Sequence, residues 1–515
     1  MSASKQKKKR QEELLNPPSH KVEAEKKELA KKKRDKITAI SVAAFLILLI
    51  VFVVALNSNL FYTVLPSITV GNESLNNAEY NYYFNTTYNN YYNQVYQQFG
   101  EYASMFLPDR SKPLSSQERG DGESWGDYFD DMTFENIKQT SFLYDEAKKA
   151  DFKLSDEGKE TVEETIISLK DQYESMKSDF NSFNSFLTAY YGKGVKEPLV
   201  RRLLEENQLA YEYSDYLIEN YGFTDEDFEA YYEENKDDND VISYYLYSFD
   251  GSLPEPEEGE EGPSDEEKAE AMSEAKEKAD ALLNSVLSGE DFDKAVLEVD
   301  ENASESSYEL KKASGANLKD QDYTDWILDG SRKKGDASAI EGETGYTVVL
   351  FEARNDNHYK TKNVRHILIK AEENDEYVIT DEAKEEAKKE AERILAEFEE
   401  GEMTEDSFAE LANEYSEDGG SNTVGGLYEN VPQGQMVEAF NDYIYDAGRK
   451  AGDTGIIFNE GSYTGYHVMY FVGDGDVYST IIAKNGLENE TYNNYIEEGI
   501  KNYEIKKHFS FRFSK

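Results

Sequence analysis

The pattern of hydrophobic and polar positions divides the start of the chain into three stretches. Residues 1–36 contain 13 Lys and Arg against 6 Asp and Glu, and Ile37 to Leu56 is a run of twenty residues without a charge. A helix of that length spans about 30 Å, the thickness of the hydrocarbon core of a bilayer. The pattern predicts a transmembrane anchor at 37–56, with the basic tail in the cytoplasm and the remainder outside. A cleaved signal peptide is the alternative, with Val53-Val54-Ala55 as its processing site.

Helical periodicity dominates the next part of the chain. Aromatic and aliphatic residues recur at three-, four- and seven-residue steps from Asn76 onwards, and the periodicity resumes over 125–150, 155–192 and 196–221. We therefore expect an all-helical, chaperone-like domain covering 57–237. Its aromatic faces fit a packed core better than a binding surface.

Two similar units of about 120 residues follow, assigned to 238–356 and 357–475. Four pairs of segments in the same order carry the repeat, among them Trp326–Asp336 with Tyr443–Asp453 and Gly345–Phe351 with Gly465–Phe471. Both units read strand, long charged helix, short helix, loop, strand, which predicts a duplicated α+β fold with a small antiparallel sheet in each copy. An acidic, Pro-rich stretch at 251–266 predicts a solvated loop, and 476–515 is expected to form a C-terminal helix and tail, with the helix around 487–507.

The two units differ where chemistry is expected. Alignment of the repeats places Tyr244 and Thr347 of the first unit opposite His366 and His467 of the second. Only the second unit carries a pair of imidazoles at these positions. We therefore expect the first unit to be degenerate.

Composition excludes several classes of function. Lys and Arg number 55 against 106 Asp and Glu, and a net charge of −51 disfavours nucleic-acid binding because a polyanion cannot neutralise phosphates. The chain has no cysteine, which excludes disulfides, thiolate metal sites and cysteine nucleophiles. An exterior domain of this size without cysteine fits a Gram-positive bacterial surface better than a eukaryotic exterior. A zinc site built on two His and one Asp lacks a further suitably spaced ligand, so no metal or cofactor is predicted.

Several motifs of the second unit occur in a recognisable order. They are Val364-Arg-His-Ile-Leu-Ile-Lys370, Tyr415-Ser-Glu-Asp-Gly-Gly-Ser421, Gly425-Gly426, Gln433-Gly-Gln-Met-Val437 and Gly465-Tyr-His-Val468. Over residues 360–474 this series resembles the parvulin (PpiC-like) family of peptidyl-prolyl cis/trans isomerases. The layout of anchor, helical domain and parvulin-like units resembles the extracytoplasmic foldases of the PrsA and SurA type.

The resemblance implies a catalytic set of His366, Asp418, Thr464 and His467. The two histidines would face each other on adjacent strands and share a hydrogen bond, with Asp418 at the position of the family's active-site acid. Thr464 would occupy the family's Ser/Thr position before the second histidine. The alternative left open is that His366 and His467 are ordinary core residues.

The resemblance also implies a substrate-binding set of Tyr428, Met436 and Phe440. Met436 and Phe440 match the apolar wall that holds the proline ring. Tyr428 departs from the family, which usually has Leu at this place in the pocket, and this departure puts the substrate preference in doubt.

Isomerisation of an X–Pro bond breaks no covalent bond and needs no nucleophile, metal or nucleotide. The barrier of about 20 kcal/mol falls when a site binds the twisted amide better than either planar form. The first hypothesis is a membrane-anchored, extracytoplasmic isomerase and chaperone that acts on unfolded or partly folded exported polypeptides. The alternatives are a non-enzymatic holdase that uses both parvulin-like units as binding platforms, and a surface adhesin. A homodimer is also compatible with the sequence.

Overall fold

The computed structural model describes residues 3–15, 19–57, 60–253, 262–374, 377–461 and 463–514. Residues 254–261 of the predicted solvated loop at 251–266 lie outside the described residues. The chain divides into two compact units. The first comprises Met1–Tyr221 and Thr491–Lys515, and the second comprises Gly222–Glu490.

Helices make up most of the first unit. They are α1 (Ala3–Leu15), α2 (Ser19–Asn57), α3 (Leu60–Thr63), α4 (Asn77–Phe99), α5 (Trp125–Lys149), α6 (Asp156–Ser175), α7 (Phe183–Tyr191) and α8 (Glu197–Glu219). A hairpin of β1 (Pro66–Val70) and β2 (Glu73–Asn76) precedes α4. The stretch 155–192, predicted as one helical run, is two helices because Ser182 starts a new one through a capping box with Ser185.

The predicted transmembrane anchor at 37–56 lies within α2. Among the residues that the structure describes, no helix is long and apolar enough to cross a membrane, so the predicted anchor is not supported.

Aromatic residues form the core of the first unit, as the periodicity predicts. Tyr80 and Phe129 are fully buried, and the Tyr80 hydroxyl donates to Asp130. Phe84 and Tyr88 pack edge-on against Phe129 with ring centroids 6.4 and 5.1 Å away. These contacts account for the aromatic spacing along α4 as packing between helices.

The second unit contains the two repeats. The first repeat has β3 (Val241–Asp250), β4 (Lys311–Ser314), β5 (Ala337–Glu341) and β6 (Gly345–Asn355), preceded by α9 (Asp225–Glu234) and α10 (Lys236–Asn239) and accompanied by α11 (Asp265–Leu287), α12 (Phe292–Val299), α13 (Glu305–Tyr308) and α14 (Thr324–Ile327). The second repeat has β7 (Lys360–Lys370), β8 (Leu427–Val431), β9 (Thr454–Glu460) and β10 (Thr464–Val477), with α15 (Asp381–Glu400), α16 (Glu405–Tyr415) and α17 (Glu438–Tyr445).

The two repeats share one sheet topology. Each is a four-stranded antiparallel sheet, in the order β4-β3-β6-β5 and β8-β7-β10-β9. The predicted fold class, α+β with a small antiparallel sheet in each copy, is confirmed. In the second sheet, alternate residues of β7 and β10 point to opposite faces: Ile367 and Val468 pack on α15 and α16, whereas Val364 and Met469 pack on α17.

The strand register corrects one predicted alignment. Phe351 and Phe471 occupy equivalent positions, because each forms two backbone hydrogen bonds with the Gly-Asp pair directly before an edge strand. These pairs are Gly335-Asp336 before β5 and Gly452-Asp453 before β9. From that anchor, the residue equivalent to His366 is Leu246, which pairs with Val349 as His366 pairs with Met469. The prediction of Tyr244 was therefore wrong by two residues. A slip of two keeps the same face of the strand, so the hydrophobic pattern does not reveal it.

The C-terminal segment contains α18 (Tyr478–Ile500) and β11 (Ile505–Lys507). The helix predicted around 487–507 therefore starts and ends earlier, and its last predicted residues form a strand. This strand pairs antiparallel with β1, in a three-stranded sheet of order β11-β1-β2 within the first unit.

Candidate active site

Two buried histidines meet on one face of the second repeat's sheet. His366 on β7 pairs with Met469, and His467 on β10 pairs with Leu368, so the two side chains are diagonal neighbours on adjacent central strands. Their Nδ1 atoms are 2.9 Å apart. The side chains are only 3% and 2% exposed, so this hydrogen bond is shielded from water.

Asp418 joins the pair from the loop between α16 and β8. Its Oδ2 atom lies 3.0 Å from Nε2 of His366. Ser421 donates to the same oxygen over 2.5 Å and lies 3.2 Å from Nε2 of His366. The hydroxyl of Tyr428 on β8 donates to Oδ2 over 3.0 Å. One carboxylate oxygen of Asp418 thus accepts hydrogen bonds from an imidazole and two hydroxyls.

Two glycines hold this loop against the strand that carries His366. Gly425 and Gly426 have φ values of +70° and +69°, a conformation that favours glycine. The Gly426 carbonyl accepts from the His366 backbone N–H over 2.9 Å, and a Cβ atom on Gly426 would lie 2.2 Å from the His366 carbonyl oxygen. The glycine pair is therefore needed for the close approach that brings Asp418 to the imidazole.

An aromatic wall lies beside the histidine pair. The Phe440 ring on α17 stands edge-to-face to both imidazoles, with centroids 5.4 Å from His366 and 5.6 Å from His467. Tyr428 lies 5.4 Å from the His366 ring. Met436, half-buried, packs on the same apolar cluster. These three residues are the predicted substrate-binding set, and the structure brings them together in one apolar cluster beside the histidine pair.

Burial and hydrogen bonding control the charges of this network. Burial, with His366 as the next cause, lowers the pKa of His467 to about 3, so this imidazole is neutral near pH 7. The hydrogen bond from His366, together with those from Ser421 and Tyr428, holds the pKa of Asp418 well below its usual range. Burial raises the pKa of Tyr428, and the Asp418 carboxylate raises it further. The site therefore contains a permanent anion that accepts several hydrogen bonds.

Thr464 does not join this network. Strand alternation places it on the opposite face from His467, and its backbone carbonyl accepts from the Ala371 N–H over 3.0 Å. The hydroxyl that reaches His467 belongs to the preceding residue, Tyr463, whose oxygen lies 2.8 Å from Nε2. The catalytic role of Thr464 stays a prediction without a contact that supports it.

Sequence reasoning missed Ser421 and Tyr463 as members of the network. Ser421 ends the motif Tyr415-Ser-Glu-Asp-Gly-Gly-Ser421, and its three-residue spacing from Asp418 was the available signal. Tyr463 gives no such signal, because its position in the turn between β9 and β10 depends on the geometry of that turn. Among the described residues, no group of three or more His, Asp and Glu side chains is arranged to hold a metal ion.

Residues 346–472 match the family model described as the PPIC-type PPIASE domain. This segment is a PPIC-type peptidyl-prolyl isomerase domain. The match confirms the parvulin-type resemblance and the enzyme class predicted from the motifs. It begins at β6 of the first repeat, before the predicted boundary at 357, and includes every residue of the network. No curated protein matches the chain.

Several solved structures are similar to this chain at low identity. Peptidylprolyl isomerase PrsA from Bacillus anthracis has 17% identity and a TM-score of 0.19, and the match covers 44% of this chain and 85% of that one. PrsA from Bacillus cereus has 15% identity and a TM-score of 0.19, with 78% and 96% covered. A SurA-like chaperone structure from Campylobacter jejuni has 15% identity and a TM-score of 0.12, with 74% and 94% covered.

Proposed function

We propose that this protein is an extracytoplasmic peptidyl-prolyl cis/trans isomerase and chaperone that assists the folding of exported polypeptides. The observation that supports it best is the buried His366–His467 pair, bound to the Asp418 carboxylate beside the Phe440 ring. The second repeat carries the isomerisation. The first repeat, with Leu246 and Thr347 at the histidine positions, binds client segments without catalysis.

The geometry fits the chemistry of a twisted amide. Rotation about X–Pro removes the resonance that places partial negative charge on the carbonyl oxygen. A fixed anion beside that oxygen destabilises the planar form, in which this charge is greatest, more than the twisted form. Asp418 supplies the anion, while Phe440 and Met436 hold the proline ring in an apolar surface. No step of this reaction requires proton transfer or a covalent intermediate.

The test is isomerisation of X–Pro peptides, followed by NMR exchange, with the full chain and its Asp418→Ala variant. We expect acceleration by the native chain and a loss of about 100-fold in kcat/KM in the variant, because the variant lacks the fixed charge. Asp442→Ala is the matched control, since this aspartate is exposed on α17. It is expected to keep the native rate.

The contrary result separates enzyme from holdase. A well-folded native chain that does not accelerate any X–Pro peptide, yet suppresses aggregation of an unfolded protein, would reject the isomerase and leave the non-enzymatic holdase. Varying the residue before proline in the same peptide series also tests how Tyr428 affects the substrate preference.

The location outside the cytoplasm is proposed from the charge pattern. Residues 1–36 are basic, 37–56 are uncharged, and the remainder is strongly acidic. Protease treatment of intact cells of the source organism tests this location: cleavage of residues 57–515 supports it, and full protection contradicts it. The homodimer stays a prediction, to be measured by sedimentation.

A further inference from the structure

The hydrogen bonds of the active site form one continuous chain with a tyrosine at its outer end. It runs from the Tyr463 hydroxyl to Nε2 of His467 over 2.8 Å, then from Nδ1 of His467 to Nδ1 of His366 over 2.9 Å. The last link joins Nε2 of His366 to Oδ2 of Asp418 over 3.0 Å. Each imidazole thus has both of its nitrogens engaged, so the protons on the chain are coupled.

The charges of Asp418 and the two imidazoles decide in which direction the protons of this hydrogen-bond chain are donated. Ionised Asp418 only accepts, so Nε2 of His366 carries a proton. If His366 is neutral, its Nδ1 accepts, and Nδ1 of His467 must donate. Since His467 is neutral, its Nε2 then accepts, and the Tyr463 hydroxyl donates to it. In the opposite direction His366 would be an imidazolium and His467 would donate to the Tyr463 oxygen.

The two directions differ in the charge of the site. With both imidazoles neutral, the site has a net charge of −1 from Asp418. With His366 as an imidazolium, that charge is cancelled at a distance of one hydrogen bond. The barrier to rotation about the amide depends on this charge, so the direction of the chain affects catalysis.

We propose that Tyr463 is a positioning residue for the isomerase. By donating to Nε2 of His467, it fixes the hydrogen-bond chain in the direction that keeps both imidazoles neutral and leaves the Asp418 charge uncancelled. The catalytic consequence rests on the proposed function, whereas the tautomer of His467 does not.

The turn between β9 and β10 holds Tyr463 in place for this role. The Tyr463 carbonyl accepts from the Asn459 side-chain amide over 2.8 Å and from the Gly461 N–H over 3.2 Å. Its ring lies 5.8 Å from the His467 ring, at 63°. Burial raises the pKa of the Tyr463 hydroxyl, with the Asp418 charge as the next cause, so it keeps its proton. The titratable groups facing the histidine pair are Asp418, Tyr428 and Tyr463 itself.

The first repeat lacks this device. Tyr463 lies four residues before His467, and the residue four before Thr347 in the first repeat is Glu343. The tyrosine hydroxyl is therefore absent together with both imidazoles.

The experiment is ¹⁵N NMR of the full chain labelled only in its five histidines, combined with pH–rate profiles. In the native chain we expect His467 as a single Nδ1–H tautomer. In Tyr463→Phe, which keeps the ring, we expect a mixture of forms and a shift of the acid limb of the pH–rate profile to higher pH by about one unit. We expect kcat to fall about tenfold with KM within about twofold, because the hydroxyl acts through His467.

Tyr466→Phe is the matched control. Tyr466 lies on the other face of β10, with its ring 4.8 Å from Phe458, and its variant is expected to keep the tautomer and the pH profile. A native His467 with its proton on Nε2 overturns the proposal, as does a Tyr463→Phe chain with an unchanged tautomer and pH profile. If the native chain has no isomerase activity, the proposed function fails, and the NMR result alone decides the tautomer.

Discussion

The two repeats have the same sheet order and the same strand register, yet among their described residues only the second contains a network built on histidines. In the first repeat, Leu246 belongs to an apolar cluster, and Thr347 shares a hydrogen bond with Ser248 over 2.8 Å. In the second, His366 and His467 occupy the equivalent positions and bind each other. The fold depends on the alternation of buried residues, which both repeats keep, and the site depends on a few residues on one face.

The loop before the edge strand differs as well. In the second repeat it contains Gly425 and Gly426, which let the backbone approach β7. The corresponding loop of the first repeat, residues 300–310, has no glycine. An active copy therefore needs the loop backbone in addition to the side chains.

The largest expected effect comes from giving the second repeat the residues of the first. His366→Leu with His467→Thr removes both imidazoles and is expected to lower kcat/KM about 100-fold, because the polar network is lost while the strand pattern remains. The measurement is X–Pro peptide exchange, with circular dichroism as a check on the fold. As the control, Thr347→Ser in the first repeat should leave the rate unchanged. An active double variant would show that the histidine pair does not account for the difference between the repeats.

A second change targets the loop. Gly426→Ala forces a side chain into a left-handed conformation with a Cβ atom 2.2 Å from the His366 carbonyl, and we expect a loss of about 2–4 kcal/mol in local stability. Hydrogen-exchange mass spectrometry of β7 peptides measures it. Gly419→Ala is the matched control, because a Cβ atom there meets nothing within 4 Å. Equal exchange in both variants would contradict the role of the glycine pair.

A smaller difference between the repeats is expected in how the stability of each sheet depends on pH. The unfolded chain protonates His467 near its ordinary pKa of 6.5, whereas the folded chain keeps it neutral to about 3, so the unfolded state binds more protons between these values. The free energy of opening β7 and β10 should therefore fall by about 1.4 kcal/mol per pH unit as the pH decreases through this window. Asp418, whose pKa is lowered, adds a loss of the same sign below its usual range.

The comparison is again hydrogen exchange. His467→Thr should flatten this slope, and β3 and β6 of the first repeat serve as the internal reference. A slope that persists in the variant would contradict the buried, neutral state of His467.

The smallest effect is expected for Thr464→Val. The Thr464 side chain lies on the face opposite the histidines, and its backbone contact with Ala371 does not depend on the side chain. We expect kcat/KM within about twofold of the native value. A tenfold loss in the same peptide assay would instead support the catalytic role that the sequence predicted.

The resemblance to parvulins predicts His366, His467 and Asp418 as neighbours, and the structure joins them in one series of hydrogen bonds. The register of the first repeat could not be predicted as well, since Tyr244 and Leu246 are both apolar and lie on the same face. Only the backbone hydrogen bonds distinguish them.

The Tyr463 hydroxyl, at the outer end of the hydrogen-bond chain, could not be predicted for another reason. Tyr463 and Thr464 are adjacent, and which of them reaches His467 depends on where the turn ends and the strand begins. A difference of one residue reverses the face to which a side chain points.

The pairing of β11 with β1 affects the order in which the chain folds. His508 donates its backbone N–H to the Ser67 carbonyl over 2.8 Å, and the Asn77 amide donates to the Ser510 carbonyl over 2.9 Å. The first unit is therefore incomplete until residues 505–510 have been synthesised, whereas the second unit, Gly222–Glu490, is synthesised earlier as one continuous segment. Because contacts between distant parts of a sequence form slowly, the isomerase domain is expected to acquire its structure while β1 still waits for its partner strand.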